Sequence, residues 1–254
     1  MKLISEGRCG RGVVRQSNQD NLFVNGKYRE ALSDREMMSC SDVAEAGIYA
    51  VCDGMGGEQY GEEASLLAVE ALRCLPVKDF FDHGPAYLRE MNRSLCTLMR
   101  QCGARIGTTF VGLSAVGDMG RILNIGDSRA YLLRAGRLTK LSRDHTQAQQ
   151  MLDLKLITPE QAASHPDRHK LTQHLGIFPE EMIIEPYESD GFPLYRGDLF
   201  LLCSDGLTDM LTEVELAQIL HGPLRVSEKA DCLYKAAVQH GGKDNITVVL
   251  VQAV

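Results

Sequence analysis

The sequence contains no apolar run that approaches the ~20 residues needed to span a bilayer. Residues 1–15 carry four basic side chains but no apolar segment, so they are not typical of a signal peptide. None of the eight cysteines forms a C-x-x-C pair, which disfavours a zinc site of that spacing. We therefore expect a cytoplasmic protein with reduced cysteines and without a membrane partner.

The sequence also has fewer basic than acidic residues. The 254 residues include 27 Lys and Arg against 34 Asp and Glu, which gives a formal net charge of −7. Because phosphate backbones attract the opposite sign, a nucleic-acid partner is not expected. The length suits one large domain or two small ones, and no stretch has the composition of a linker. We therefore expect a single domain over residues 1–254.

Strand-like and helical patterns occur in blocks and do not alternate strictly. Runs at 107–116, 120–126, 129–134 and 137–141 are separated by glycine-containing turns, which predicts an antiparallel meander. Strand-like apolar runs predict further strands at 18–25, 46–52, 181–188, 198–204 and 245–252. Apolar residues at helical spacing predict helices at 57–75, 85–102, 212–221 and 226–240. Such blocks favour an α+β fold in which helices cover antiparallel sheets.

A strand, a glycine-rich turn and a helix follow one another around residues 51–61, the order found in nucleotide-binding loops. The turn lacks the third glycine of a dinucleotide-binding motif, and it is followed by Glu62 and Glu63 where a phosphate-binding loop has Lys and Ser or Thr. Asp53 is more informative, because a carboxylate at a strand end can point beyond the sheet. Gly54 would let a backbone carbonyl approach the same ion. The alternative is that the Asp-Gly pair only marks a turn.

Aspartates recur at the borders of apolar strand-like runs, often beside glycine. They are Asp20, Asp53, Asp127, Asp205, Asp209 and Asp244. If these strand ends converge, the carboxylates cannot all remain ionised without cations, and a set of oxygen donors favours Mg²⁺ or Mn²⁺. Two such ions can activate a water and hold a phosphoryl group, whose oxygens Arg15 could bind. The set indicates a binuclear hydrolase, with a calcium-stabilised structural protein as the alternative.

Six segments, read in order, resemble the metal-dependent Ser/Thr protein phosphatases of type 2C, and in particular their compact bacterial members. The segments are GVVRQSNQD (12–20), AVCDGMGGEQYGEEAS (50–65), GTTFVG (107–112), NIGDSRAYLLRAGRLTKLSRDHT (124–146), LFLLCSDGLTDML (199–211) and GGKDNITVVLV (241–251). The resemblance implies a four-layer α-β-β-α sandwich of two antiparallel sheets flanked by helices. It also implies a binuclear Mn²⁺ or Mg²⁺ centre in a cleft at one end.

The resemblance assigns metal roles to individual residues. Asp53 would bridge two metals, and the carbonyl of Gly54 would ligate one of them. Asp205 and Asp244 would hold the first metal, and Asp20 would support the second, through water.

A weaker third metal is implied at Asp127, Asp205 and Asp209. Arg15 would bind the substrate phosphate, and a hydroxide bridging the metals would attack phosphorus in line without a phosphoenzyme.

Two positions depart from the family pattern. Gln19 stands where Glu is frequent, so the surroundings of the second metal carry one charge less. Met55 stands where eukaryotic relatives carry a His that is a candidate general acid, so leaving-group protonation would come from a metal-bound water or matter little. The histidines of segment 144–176, which are His145, His165, His169 and His174, favour a polar surface region over a metal site. The resemblance implies that this segment includes a flap beside the cleft.

The expected function is hydrolysis of phosphoserine and phosphothreonine in proteins by a cytoplasmic monomer. Family analogy names a eukaryotic-like Ser/Thr kinase as the antagonist. Gln19 and Met55 motivate one alternative, a partner-switching regulator with little turnover. Hydrolysis of a small phosphoester is a further alternative that the sequence leaves open.

Overall fold

The computed structural model describes residues 1–30 and 37–254, and for residues 57–59 it describes the backbone but not the side chains. The described chain forms two antiparallel β-sheets packed face to face, with helices on both outer faces. This arrangement is the four-layer α+β sandwich that the sequence predicts. Within the described ranges, no helix combines the length and apolar character needed to cross a membrane.

Each sheet is a continuous antiparallel ladder in the part of the chain that the structure describes. The first sheet contains, in spatial order, β10 (Arg137–Lys140), β9 (Arg129–Arg134), β13 (Leu199–Cys203), β14 (Ile246–Ala253), β1 (Leu3–Gly10) and β4 (Met38–Ala44). The second sheet contains β11 (Tyr187–Glu188), β8 (Met119–Ile125), β7 (Phe110–Val116), β5 (Gly47–Met55), β2 (Asp20–Val24) and β3 (Lys27–Tyr28), with β12 (Phe192–Pro193) on β8 and β6 (Gly107–Thr108) on β5.

The helices lie in three places. One outer face carries α1 (Gly57–Leu72) and α2 (Val77–Cys102), and the other carries α5 (Asp205–Thr208), α6 (Glu213–His221) and α7 (Val226–Gln239). Two short helices, α3 (Gln147–Asp153) and α4 (Pro159–Ala163), belong to the segment predicted as a flap. Helix α4 begins with a capping box, in which Thr158 Oγ1 accepts from Gln161 N and Gln161 Oε1 accepts from Thr158 N.

Apolar side chains fill the three spaces between these four layers. The layer between the sheets includes Tyr49, Val51, Leu113, Phe200 and Val251, all 0% exposed. Separate clusters join the second sheet to α1 and α2, and the first sheet to α6 and α7. Because both sheets are covered on both faces, strands such as β5 and β13 contain long apolar runs.

The predicted meander is wrong. Strand β8 pairs with β7, whereas β9 pairs with β10 and β13 in the other sheet, so the chain crosses between the sheets at residues 126–128. Short turns at regular spacing indicate strands, but they do not tell whether successive strands share a sheet. The crossing places this turn at the edge where the two sheets meet.

Other differences are local. The predicted strand at 181–188 is reduced to β11, and β1 and β4 are additional strands that the sequence patterns did not indicate. The helix predicted from residue 85 begins at Val77, because a short preceding helix joins it across non-helical angles at His83, just before Pro85. The remaining predicted helices and strands are confirmed within a few residues.

Candidate metal centre

The second sheet contributes two aspartates to the cleft. Asp20 begins β2, Asp53 lies near the end of β5, and the two are cross-strand partners. The Gly54 N–H donates to the carbonyl of Gln19 at 3.1 Å, which fixes these strand ends together. A Cβ on Gly54 would lie 2.0 Å from the Gly61 carbonyl oxygen, so only glycine fits. The Asp-Gly pair therefore lies inside a strand and does not mark a turn.

The other predicted aspartates approach the same cleft from different elements. Asp205 lies two residues after the end of β13 as the first residue of α5, Asp244 lies two residues before β14, and Asp127 lies in the crossing from β8 to β9. Together with Asp53 and Arg15 they line a cleft of about 820 Å³. Four of the six strand-end aspartates singled out in the sequence therefore share this cleft.

Burial and mutual repulsion act on these carboxyl groups. Burial, followed by the nearby carboxyls of Asp20 and Asp205, raises the pKa of Asp53 well above its usual range. Burial and then Asp205 likewise raise the pKa of Asp127, and burial followed by Asp244 raises that of Asp205. Bringing the ionised forms together is therefore unfavourable unless positive charge is supplied.

The chemistry of the donors fits divalent cations. Asp20 Oδ1 and Asp205 Oδ1 are buried oxygens without a hydrogen-bond partner within the described ranges. Such oxygens are costly unless a proton or a cation satisfies them. All the strand-end donors are carboxylate oxygens, which is the ligand type preferred by Mg²⁺ and Mn²⁺.

Arg15 lies at the mouth of the cleft. Its Nε and Nη2 atoms donate to the two carboxylate oxygens of Asp244, at 2.8 and 2.7 Å. The side chain is 56% exposed, so the guanidinium faces both solvent and the acidic centre. The hydrogen bonds to Asp244 come first among the causes that raise the pKa of Arg15. Arg15 is thus a permanent positive charge at the entrance of an acidic pocket.

The sequence profile of the family described as Protein phosphatase 2C matches residues 31–239. The chain belongs to the protein phosphatase 2C family. Serine/threonine protein phosphatase PstP of Mycobacterium tuberculosis is 34% identical over 253 residues, covering 97% of this chain and 44% of PstP. Serine/threonine phosphatase stp of Listeria monocytogenes is 33% identical over 263 residues, covering 98% of this chain and 95% of stp. The phosphatase 2C chain therefore spans less than half of PstP and nearly all of stp.

Solved phosphatase 2C structures have the same fold. The crystal structure of the Mycobacterium tuberculosis serine/threonine phosphatase PstP/Ppp superposes with a TM-score of 0.83 at 32% identity, covering 100% of this chain and 99% of that one. The catalytic domain of PstP in complex with two manganese ions superposes with a TM-score of 0.79 at 30% identity, covering 99% of each chain. Binding of Mn²⁺ by a protein this similar agrees with the cofactor expected from the sequence.

Asp20 occupies an inner position in the phosphatase 2C cleft. It is completely buried, and its Oδ2 accepts hydrogen bonds from Ser204 Oγ and Thr247 Oγ1, both at 2.7 Å. Burial raises the pKa of Asp20 to about 7, although these two hydrogen bonds oppose the shift. Sequence reasoning missed Ser204 and Thr247. Their positions beside Asp205 and within β14 could have indicated them, but hydroxyl residues at strand ends are common.

Asp209 lies at the margin of the centre. It lines a neighbouring cavity of about 570 Å³ that also reaches Asp127 and Asp205 and extends beneath the segment predicted as a flap. Its side chain is 33% exposed, and its Oδ2 lies 3.5 Å from His169 Nε2. Among the predicted aspartates, Asp209 therefore faces the flap side of the centre.

The four histidines of segment 144–176 have different environments. His165 Nδ1 accepts from Asp167 N at 3.1 Å. The ring Nδ1 of His145 and that of His174 contact backbone atoms of Gly126 and Leu175. Burial lowers the pKa of both His145 and His174.

His169 is the exception in this set, because its ring lies against Asp205 and Asp209. The expected surface role therefore does not describe His169. Its proximity to the centre depends on tertiary structure and has no signal in the spacing.

The two departures from the family pattern both line the cleft. Gln19 and Met55 are among its lining residues, together with Gly56 and Thr109. The backbone of Gln19 is held in place, since its N–H donates to Asn245 Oδ1 and its carbonyl accepts from Ser65 Oγ. Position 19 thus lies beside the aspartates, where a neutral Gln in place of Glu leaves the centre with one negative charge less.

Proposed function

We propose that this chain is a metal-dependent phosphatase that hydrolyses phosphoserine and phosphothreonine in proteins. The observation that carries the proposal is the convergence of carboxylates from both sheets at one cleft, with Arg15 at its mouth. Membership of the phosphatase 2C family and the names of its relatives support the same activity.

The centre would hold two divalent ions, Mn²⁺ or Mg²⁺, which supply an activated water and positive charge for the phosphoryl oxygens. We propose Asp53 as the ligand shared by both ions, because it lies between the aspartates of the two sheets. Asp205 and Asp244 would complete one ion, and the Gly54 carbonyl and the buried Asp20 would serve the other. The unpartnered oxygens of Asp20 and Asp205 support this division.

Arg15 would bind the phosphate of the substrate. A guanidinium has five N–H donors, and the contacts to Asp244 occupy two of them, so the remaining N–H groups are available to phosphate oxygens. Its planar arrangement suits bidentate contacts with phosphate, and its charge is fixed at all relevant pH values. Arg15 would thereby hold the phosphorus beside the ions and neutralise charge that develops on its oxygens.

The test is hydrolysis of a phosphothreonine peptide by the full chain in Mn²⁺. We expect turnover that is lost in EDTA, and loss of more than 100-fold in turnover for Asp53→Asn and Asp205→Asn with the fold retained by circular dichroism. A smaller loss is expected for Asp127→Asn. The matched control is Asp118→Asn in the exposed turn before β8, which should keep full activity. Absence of turnover with every divalent metal would refute the proposal.

The same experiment separates the alternatives. A partner-switching regulator would bind the phosphopeptide tightly without releasing phosphate, whereas an enzyme for small phosphoesters would prefer nucleotide or sugar phosphates to the peptide. We further propose that residues 1–254 act as one catalytic domain, monomeric and cytoplasmic, in opposition to a Ser/Thr kinase. The cysteines, all free in the structure, are compatible with a reducing compartment.

A further inference from the structure

The backbone around His169 is held against the edge of the acidic centre. Thr146 and Leu171 form an antiparallel bridge, and Gln147 N donates to the Lys170 carbonyl at 3.0 Å. The two ends of the segment that carries α3 and α4 therefore meet beside His169. His169 is thus placed by a closed structural unit, not by the tip of an open loop.

The ring of His169 lies near carboxylates, at distances slightly longer than those between ligands of one ion. Its Nδ1 lies 3.8 Å from Asp205 Oδ2. One ligand atom from each of Asp127, His169 and Asp205 lies within 4.8 Å of the other two. Direct hydrogen bonds would require about 2.7–3.2 Å. Donor atoms bound at ~2.1 Å to one octahedral ion lie about 3.0 Å apart when adjacent and about 4.2 Å when opposite. A small closure would complete such a set.

Two further observations favour a cation over a simple ion pair. The oxygen of Asp205 that faces His169 is Oδ2, and its buried Oδ1, which has no hydrogen-bond partner within the described ranges, is left for the main centre, so one carboxylate can serve both sites. Asp127 is only 8% exposed, and it comes from the crossing between the sheets, a different element from the one that carries Asp205. At 3.8 Å the His169 ring makes no hydrogen bond to Asp205, so the imidazole alone does not satisfy this carboxylate.

The weaker third metal that the family resemblance implies would lie at Asp127 and Asp205, and we propose that His169 supplies a nitrogen ligand to it, which joins the segment 144–176 to the metal centre. This inference rests on the proposed function, because Asp205 also serves the main centre. Imidazole is a softer donor than carboxylate and suits transition metals better than Mg²⁺. The site should therefore distinguish Mn²⁺ from Mg²⁺, which a set of carboxylates alone does poorly.

The test uses electron spin-echo envelope modulation on the full chain saturated with Mn²⁺. We expect the modulation of a directly bound imidazole nitrogen, changed by ¹⁵N-histidine labelling and lost in His169→Asn. His165→Asn is the matched control, four residues earlier in the same segment, and it should retain the signal. In a Mn²⁺ titration, the weakest class of site should lose about 10- to 100-fold in affinity in His169→Asn, with a smaller effect on Mg²⁺.

Nitrogen modulation that is absent in the wild type at saturating Mn²⁺, or that persists in His169→Asn, would overturn the inference. Circular dichroism of each variant shows whether a lost signal reflects unfolding. Phosphopeptide hydrolysis by the wild type is measured separately. A protein that turns over without nitrogen modulation refutes only this ligand, whereas a protein that shows the modulation without turnover refutes only the proposed activity.

Discussion

Replacing Asp20 by Asn should stabilise the metal-free protein while weakening its response to metal. Asp20 is completely buried, and burial raises its pKa from 3.8 to about 7, with further repulsion from Asp205 and Asp244. Asn has the same shape, and its carbonyl oxygen can accept the hydrogen bonds now donated by Ser204 and Thr247. Its amide would then face the neighbouring carboxylates with an N–H in place of a negative charge.

The size of the effect follows from the pKa of Asp20. A folded-state pKa raised above the unfolded value means that the contribution to stability is present at low pH and is lost as the pH rises through about 7. A shift of roughly three units corresponds to about 4 kcal/mol once the group is fully ionised. The same linkage gives a cost of about 2 kcal/mol at pH 5. Asn does not ionise, so the variant has no ionisation cost at either pH.

Urea unfolding in EDTA at pH 5 and pH 8 measures this difference. The free energy of unfolding of Asp20→Asn should exceed that of the wild type at pH 8, and the gap should widen by about 2 kcal/mol between the two pH values. Asp42→Asn is the control, because hydrogen bonds from Asn25 and Lys27 oppose burial and lower the pKa of Asp42. The stability of Asp42→Asn relative to the wild type should not increase between pH 5 and pH 8. A variant less stable than the wild type at pH 8 would refute the reasoning.

Three further substitutions test the positioning of the centre. Arg15→Lys keeps the charge but loses the planar fork, so kcat/KM for a phosphopeptide should fall about tenfold or more in steady-state assays; an unchanged value would exclude a bidentate role. Thr247→Val removes a hydrogen bond to Asp20 and should weaken Mn²⁺ binding about 10- to 100-fold by calorimetry, unlike Thr139→Val on the exposed face of β10. Gly54→Ala should cost about 3 kcal/mol or more in unfolding free energy, because its Cβ would meet backbone oxygen, whereas Gly191→Ala, with its nearest neighbour at 3.4 Å, should cost little.

The strand-end aspartates were predictable because burial constrains the rest of each strand. A sheet covered on both faces requires apolar residues along its length, so an aspartate directly after such a run stands out. Asp53, which follows the apolar run of β5, and Asp205, just beyond β13, are clear examples, and the structure brings both to one cleft. The order of the motifs then indicated the family, and with it the sandwich.

The path between the sheets was not predictable from the same patterns. A turn such as Gly126-Asp127 has the same local chemistry whether the next strand pairs with the previous one or leaves for another sheet. Strand β4 alternates half-buried and exposed residues at a sheet edge and has too weak a pattern to be recognised. His169 was missed for a related reason, because its neighbours Asp205 and Asp209 are distant in sequence and come from a different layer.

Both sheets contribute carboxylates to the centre, so metal binding is linked to the packing of one sheet on the other. Asp20 and Asp53 come from the second sheet, whereas Asp205 and Asp244 adjoin strands of the first, so packing of the sheets adds repulsion between the two pairs to the repulsion within each pair. The apolar layer between the sheets must offset that repulsion in the metal-free chain. Divalent ions held by both sets would remove the repulsion and bind the folded state alone, so they would stabilise the sheet packing itself. Metal affinity should therefore fall when the layer between the sheets is weakened, even by substitutions far from the aspartates.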